Sequence, residues 1–119
     1  VKNMATNLED FSLMIDKKEV IYISQKLKIY NINFIQYSIM NILYGENDIS
    51  QKKLVELLLT NKRSITKAVK GLVLEGYVER IIDEKDKRAY KINVTTKGET
   101  VRKIIIDLKN EWNKLSVEG

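Results

Sequence analysis

Apolar residues recur at threes and fours along most of this chain and switch to strict alternation in one place. Leu8, Phe11, Ile15, Val20, Ile23 and Leu27 fall at roughly helical spacing, which predicts a long, partly regular amphipathic helix over about 8–29. Asn31 and Asn33 interrupt it. A second helix over about 34–44 buries a stripe of Ile35, Ile39, Ile42 and Leu43, and Gly45 closes it. Asp48–Ile49 reads as a short extended piece. Ser50 is placed to cap a third helix running through Leu59, with Leu54, Leu57 and Leu58 inside. Thr60–Asn61 is a polar break before a fourth helix over about 62–75, which Gly76 terminates. The alternating stretches 77–82 and 89–94, separated by a charged tip over 83–88, predict a hairpin. That tip lacks the Asn-Gly or Asp-Gly of a tight turn, so a longer loop is expected.

The last segment opens with Thr96-Lys97-Gly98-Glu99, a capping-box spacing. Val101, Ile104, Ile105, Leu108, Trp112 and Leu115 then follow on one helical face. Trp112 comes where a small domain has little core left to cover it, so packing on a partner is expected. Ordinary packing against the first helix is the alternative. The order is therefore helix, helix, short strand, helix, helix, hairpin, helix: a mainly α chain with a small β-hairpin, the winged helix-turn-helix layout.

Composition narrows what such a chain can do. Its 119 residues suit one domain, expected over 1–119, and no proline, linker or repeat divides it. There is no cysteine and no histidine, which removes thiol chemistry, the commonest general base and the commonest metal ligands together. No cofactor and no metal are expected, and an enzyme would need a carboxylate or lysine constellation that the spacing does not offer. No apolar run approaches the ~18 residues of a membrane span, and no apolar segment follows Lys2 as a secretory leader would require. A cytoplasmic location is expected.

The net charge of +5 is unevenly placed. Residues 1–49 carry 5 basic and 6 acidic side chains, residues 50–92 carry 11 and 6, and residues 93–119 carry 5 and 4. An excess confined to the middle of the chain favours a polyanionic partner, here double-stranded DNA. The fourth helix shows how. Ile65, Ala68, Val69, Leu72 and Val73 make its apolar stripe, while Arg63, Thr66, Lys67 and Lys70 share an outward face at i, i+3, i+4, i+7. Asn61, Lys62 and Ser64 crowd the N-terminal end that enters the major groove in helix-turn-helix proteins. Arginine suits guanine, asparagine suits adenine, and a hydroxyl suits either bases or phosphate. No acid lies between Asn61 and Lys70, whereas solvated helix faces usually mix signs. Gly71 costs this helix about 1 kcal/mol relative to alanine, and close packing against a neighbour would account for it.

In the tip Asp83-Glu84-Lys85-Asp86-Lys87-Arg88, Arg88 is expected in the minor groove with its guanidinium held by Asp86. Lys85, Lys87 and Lys91 would line the phosphates. Ser50, Gln51, Lys52 and Lys53 begin the third helix and are expected on the DNA backbone.

The segment Ser64-Ile65-Thr66-Lys67-Ala68-Val69-Lys70-Gly71-Leu72-Val73-Leu74-Glu75-Gly76-Tyr77-Val78-Glu79-Arg80 resembles the recognition helix and first wing strand of the MarR family of winged-helix regulators. Asp86-Lys87-Arg88 is similar to that family's Asp-x-Arg wing motif, and Val94-Thr95-Thr96-Lys97-Gly98 to the junction that follows its wing. The short length, with 66–70 and 86–88, resembles the staphylococcal accessory regulator branch. The resemblance implies a homodimer joined through the first and last helices on a near-palindromic operator. The dimerisation helices would be 8–30 and 96–117, and the DNA-binding lobe 34–94 with its wing over 77–94. Leu8, Phe11, Ile15, Ile104, Leu108, Trp112 and Leu115 are the interface candidates. Larger members continue into a further C-terminal helix, so either the interface here is smaller or this sequence is cut short of the full protein. Many relatives bind phenolic effectors, but nothing in this sequence identifies such a ligand, and the missing cysteines argue against thiol sensing. The competing reading is a winged-helix interaction module whose basic face meets an acidic protein partner.

Overall fold

The computed structural model describes residues 16–86 and 89–118, with side chains through Leu115. Helix α1 (Lys17–Leu27) starts at Asp16, whose carboxylate accepts from the Lys18 amide at 2.8 Å, and it buries Ile23 and Leu27. The N-terminal part of the long helix expected from residue 8 lies outside the described residues. At its other end α1 tightens into a 3-10 turn (Lys28–Tyr30), and Asn31 then reverses the chain at φ 61. Asparagine tolerates this left-handed geometry better than most residues do.

Helix α2 (Phe34–Gly45) opens with a reciprocal cap. The Asn33 side chain accepts from the Gln36 amide, and the Gln36 side chain accepts from the Asn33 amide, both at 2.9 Å. Its buried set is broader than the expected stripe: Gln36, Tyr37, Ile39, Met40, Leu43 and Tyr44 are buried, while Ile35 and Ile42 are only partly covered. The reason is position. This helix packs against α1, the recognition helix, the sheet and the C-terminal helix, so one stripe does not cover its contacts.

Strand β1 (Ile49–Ser50) runs straight into α3 (Gln51–Leu57), where the Ser50 hydroxyl accepts from the Lys53 amide at 3.0 Å. This helix stops two residues short of expectation. Leu58 is its C-terminal cap and Leu59 takes φ 51, so Leu54 is buried but Leu57 remains 47% exposed. Helix α4 (Lys62–Leu74) buries Ile65, Ala68, Val69 and Leu72, and Gly76 ends it at φ 82. The chain then forms β2 (Val78–Ile82) and β3 (Tyr90–Val94). They pair antiparallel, Val78 opposite Val94 and Ile82 opposite Tyr90, in a three-stranded sheet of order β1-β3-β2.

The C-terminal helix departs from its expected start. Thr95, not Thr96, caps α5 (Thr96–Thr100): its hydroxyl accepts from the Gly98 amide at 3.1 Å and donates to the Gly76 carbonyl at 2.5 Å. A cap tied to the start of the wing fixes the register one residue earlier than the sequence motif suggests. The helix then breaks at Val101 before α6 (Arg102–Glu118). Gly98 is required here, because a Cβ on it would lie 2.2 Å from the Tyr77 carbonyl oxygen. Ile39, Met40, Leu43, Leu54, Ile65, Leu72, Ile92 and Ile105 form the centre of one core joining α2, α3, α4, β3 and α6.

Gly71 has a tertiary explanation. A Cβ there would meet the Gln36 side-chain nitrogen at 2.5 Å, and that nitrogen donates to the Ala68 carbonyl at 3.2 Å. The buried glutamine of α2 crosses α4 at its glycine.

Candidate nucleic-acid interface

The capping of α4 decides which of its residues face outward freely. Asn61 Oδ1 accepts from the Ser64 amide at 2.8 Å. The cap occupies one lone pair of Oδ1 and leaves the other, with Nδ2, for the adenine contact expected of Asn61. Beyond it, Lys62, Arg63, Lys67 and Lys70 are exposed, and among the described residues none of them is in an ion pair. Thr66 and Ser64 are half-buried. Gln51 Nε2 donates to Thr66 Oγ1 at 2.8 Å, joining the start of α3 to the middle of the recognition face. Gln51 thus braces α4, while Ser50 is occupied by its own cap. Lys52 and Lys53 are exposed beside them.

Hydrogen bonds tie together the described residues at the wing tip. The Lys85 amide donates to Asp83 Oδ1 at 2.9 Å, which holds the Asp83 carboxyl below the usual carboxylate range. The Asp83 amide reaches the Ala89 carbonyl at 3.1 Å, and the Ala89 amide the Asp86 carbonyl at 2.9 Å, closing the loop. Lys85 and Asp86 are exposed, and Lys87 and Arg88 lie outside the described residues. Lys91 lies on β3, away from the tip. Its ammonium is 3.8 Å from Asp48, and register puts it opposite Ile81, on the other face of the hairpin from Arg80, Ile82 and Tyr90.

The base of the wing and the starts of α3 and α4 enclose a cleft of about 540 Å³ lined by Gln51, Lys52, Val55, Lys62, Thr66, Arg80, Ala89 and Tyr90. Arg80 and Tyr90 were not among the residues singled out from sequence. The pairing of Arg80 with buried Ile92, and of Ile82 with Tyr90, places all four on the lobe-facing side of the hairpin. A basic residue in phase with the buried positions of a strand was the available signal.

The interface candidates separate. Leu108 is 6% exposed and belongs to the chain's own core. Ile104 is half-buried. Trp112 packs on Tyr22 of α1 with ring centroids 5.7 Å apart, and the Tyr22 hydroxyl donates to Glu111 at 3.0 Å. Leu115 is 48% exposed. Leu8, Phe11 and Ile15 lie outside the described residues. Among the described residues no group of three or more His, Cys, Asp or Glu could hold a metal, and no helix is long and apolar enough to cross a membrane.

A three-stranded sheet with a hairpin wing beside two helices, α4 basic on its exposed face, defines a winged-helix protein of the transcription-regulator class. A profile described as the MarR family matches residues 30–89, and a solved MarR transcriptional regulator from Methanosarcina mazei Go1 superposes with TM-score 0.83 at 33% identity, covering 87% of this chain and 74% of that one. The chain belongs to the MarR family, whose matched members are transcriptional regulators and not enzymes. The HTH-type transcriptional regulator SarZ of Staphylococcus epidermidis is 26% identical over 108 residues, 87% of this chain and 73% of the relative. The Staphylococcus aureus MepR–DNA complex shares the fold at TM-score 0.69 and 19% identity, covering 90% of this chain and 88% of that one.

Proposed function

We propose that this chain binds duplex DNA as a homodimer on a near-palindromic operator and regulates transcription there. Each copy places the exposed face of α4 in the major groove and the wing arginine, Arg88, in the adjacent minor groove. The observation that carries this reading is the acid-free face of Lys62, Arg63, Lys67 and Lys70, left without an ion-pair partner among the described residues. Four exposed cations on one side of a short helix set up a field that a row of phosphates neutralises. Arg63 and Lys67 then read base edges, and Lys70, Lys52 and Lys53 sit on the backbone. The solved MepR complex contains DNA, as does the structure of reduced AbfR bound to DNA, which fits this chain at TM-score 0.74. In this reading the lobe 34–94 carries the DNA contacts and the segments 8–30 and 96–117 carry dimerisation, with exposed Leu115 and half-buried Trp112 as candidate contacts.

Selection of bound sequences from a random duplex pool tests the reading. It should return inverted half-sites whose centres are about one helical turn apart. Titration on the selected duplex should lose on the order of 10³-fold in affinity between 50 and 200 mM salt. Enrichment of no sequence, or salt-insensitive binding, refutes it. Sedimentation of the Leu115→Glu variant checks the dimer, which should shift toward monomer.

A further inference from the structure

The cleft at the base of the wing adds Arg80 and Tyr90 to the residues named above. Three cations, Lys52, Lys62 and Arg80, line it, and no carboxylate does. The Arg80 guanidinium carbon stands 5.5 Å from the Tyr90 ring centroid. No ion pair to Arg80 occurs among the described residues. The ring limits the rotamers of a side chain that would otherwise be free, and it leaves the planar fork of N–H donors available. Tyr90 is 43% exposed, so this pair sits at the mouth of the cleft and not in the core.

We infer that Arg80, steadied by Tyr90, binds one backbone phosphate of the duplex held by α4, with Lys52 and Lys62 flanking the same strand. The inference rests on the reading of α4 as the major-groove helix, because Lys62 and Thr66 belong both to that helix and to the cleft wall. A guanidinium matches the geometry of phosphate oxygens with two parallel hydrogen bonds. The cleft lies between the helix reading one groove and the wing reaching toward the next, which is where the intervening sugar–phosphate strand runs. The ligand chemistry is a phosphate oxyanion, and its source is the phosphodiester of bound DNA.

The test uses the full chain and its selected duplex. Arg80→Gln should weaken binding on the order of tenfold and lower the slope of log affinity against log salt by about 0.9, the loss of one phosphate. Replacing backbone phosphates one at a time by methylphosphonates should reveal one position that weakens the wild type and leaves Arg80→Gln unaffected. Tyr90→Leu, which removes the ring and keeps the charge, should weaken binding by a smaller factor with the slope unchanged. Thermal melting must show both variants folded as the wild type; a common loss of folding would move the test to Arg80→Lys, which should keep the slope. The inference is overturned if Arg80→Gln lowers affinity without altering the slope, since Arg80 would then only shape the wing. It is equally overturned if no single methylphosphonate position weakens the wild type while leaving Arg80→Gln unaffected. A wild type that binds no duplex overturns the parent reading instead, whereas tight wild-type binding with an indifferent Arg80 overturns only this inference.

Discussion

Helices α4 and α6 are both amphipathic, yet they treat charge in opposite ways. On α6, Lys103 pairs with Asp107 one turn away at 2.8 Å, and Arg102 at its start pairs back with Glu99 of α5 at 3.3 Å. On α4, Arg63, Lys67 and Lys70 stand at the same spacings with no acid among them. An exposed i,i+4 ion pair contributes only about 0.3–0.5 kcal/mol, and like charges at that spacing cost a similar amount. Burying each of Ile65, Val69 and Leu72 stabilises by roughly 1.5–3 kcal/mol, so α4 can leave its outer face unpaired and still fold. The unpaired face adds nothing to the helix's own stability, which fits the duplex contact proposed for it.

The two helices also differ in what lies beneath them. Helix α6 meets α1 through Tyr22 and Trp112, aromatic surfaces that tolerate small shifts. Helix α4 meets α2 through Gly71 and Gln36, a polar contact with no spare volume. Direction along α4 is therefore set by a side-chain amide bonded to both helices: Gln36 accepts from Asn33 and donates to Ala68.

The contrast in charge is broken most directly by reversal. Lys67→Glu with Lys70→Glu should lower duplex affinity at least on the order of 10²-fold at physiological salt, whereas Lys103→Glu with Lys109→Glu on α6 should change it less than about threefold. Anisotropy titrations of both double variants check this, and equal losses would show that total charge matters and the α4 face does not.

The contrast in packing is sharpened by Gly71→Ala. Alanine improves helix propensity by about 1 kcal/mol, but its methyl displaces the Gln36 amide and strands buried hydrogen-bonding groups at about 1–3 kcal/mol each. The expected net is a loss of about 1–2 kcal/mol, read as a lower melting temperature. A stabilised variant would show that Gln36 relocates freely.

The smallest effect appears only in alkali. Burial of Tyr37 on α2 pushes its hydroxyl up to about 12 from its ordinary 10. Burial raises that of Tyr44 as well, whose hydroxyl donates to the Gly98 carbonyl at 2.6 Å. A raised pKa means that the folded state holds the proton longer, so this contribution is complete below the unfolded value and is lost as pH climbs through the folded one. Stability should thus be flat with respect to these groups at neutral pH and fall from about pH 10 upward. Tyr37→Phe should make that fall shallower in pH-dependent melts. An identical alkaline limb would place Tyr37 in contact with water.

Much of this was readable one residue at a time. The helical periods, the Ser50 cap, the terminating Gly76 and the acid-free face of α4 are local properties, because a helix repeats every 3.6 residues and a strand every two. Those periods state which side of an element is apolar, and with the order of elements they define the winged helix. They do not state what the element packs against. The Gln36 contact that explains Gly71 joins positions 36 and 71, and the pairing of Lys91 with Asp48 joins β3 to the residue before β1, with two helices and β2 between them in sequence. Thr95 outcompetes Thr96 as a cap because Gly76 is there to bond it. Leu57 falls on the apolar period of α3 yet stays 47% exposed, which the period alone does not foretell. Arg80 and Tyr90 become neighbours only through hairpin register, and the cleft beside α4 exists only once the wing folds back toward α3. The sequence by itself determined the elements and the sign of their surfaces; the tertiary structure decided which side chains those surfaces leave free.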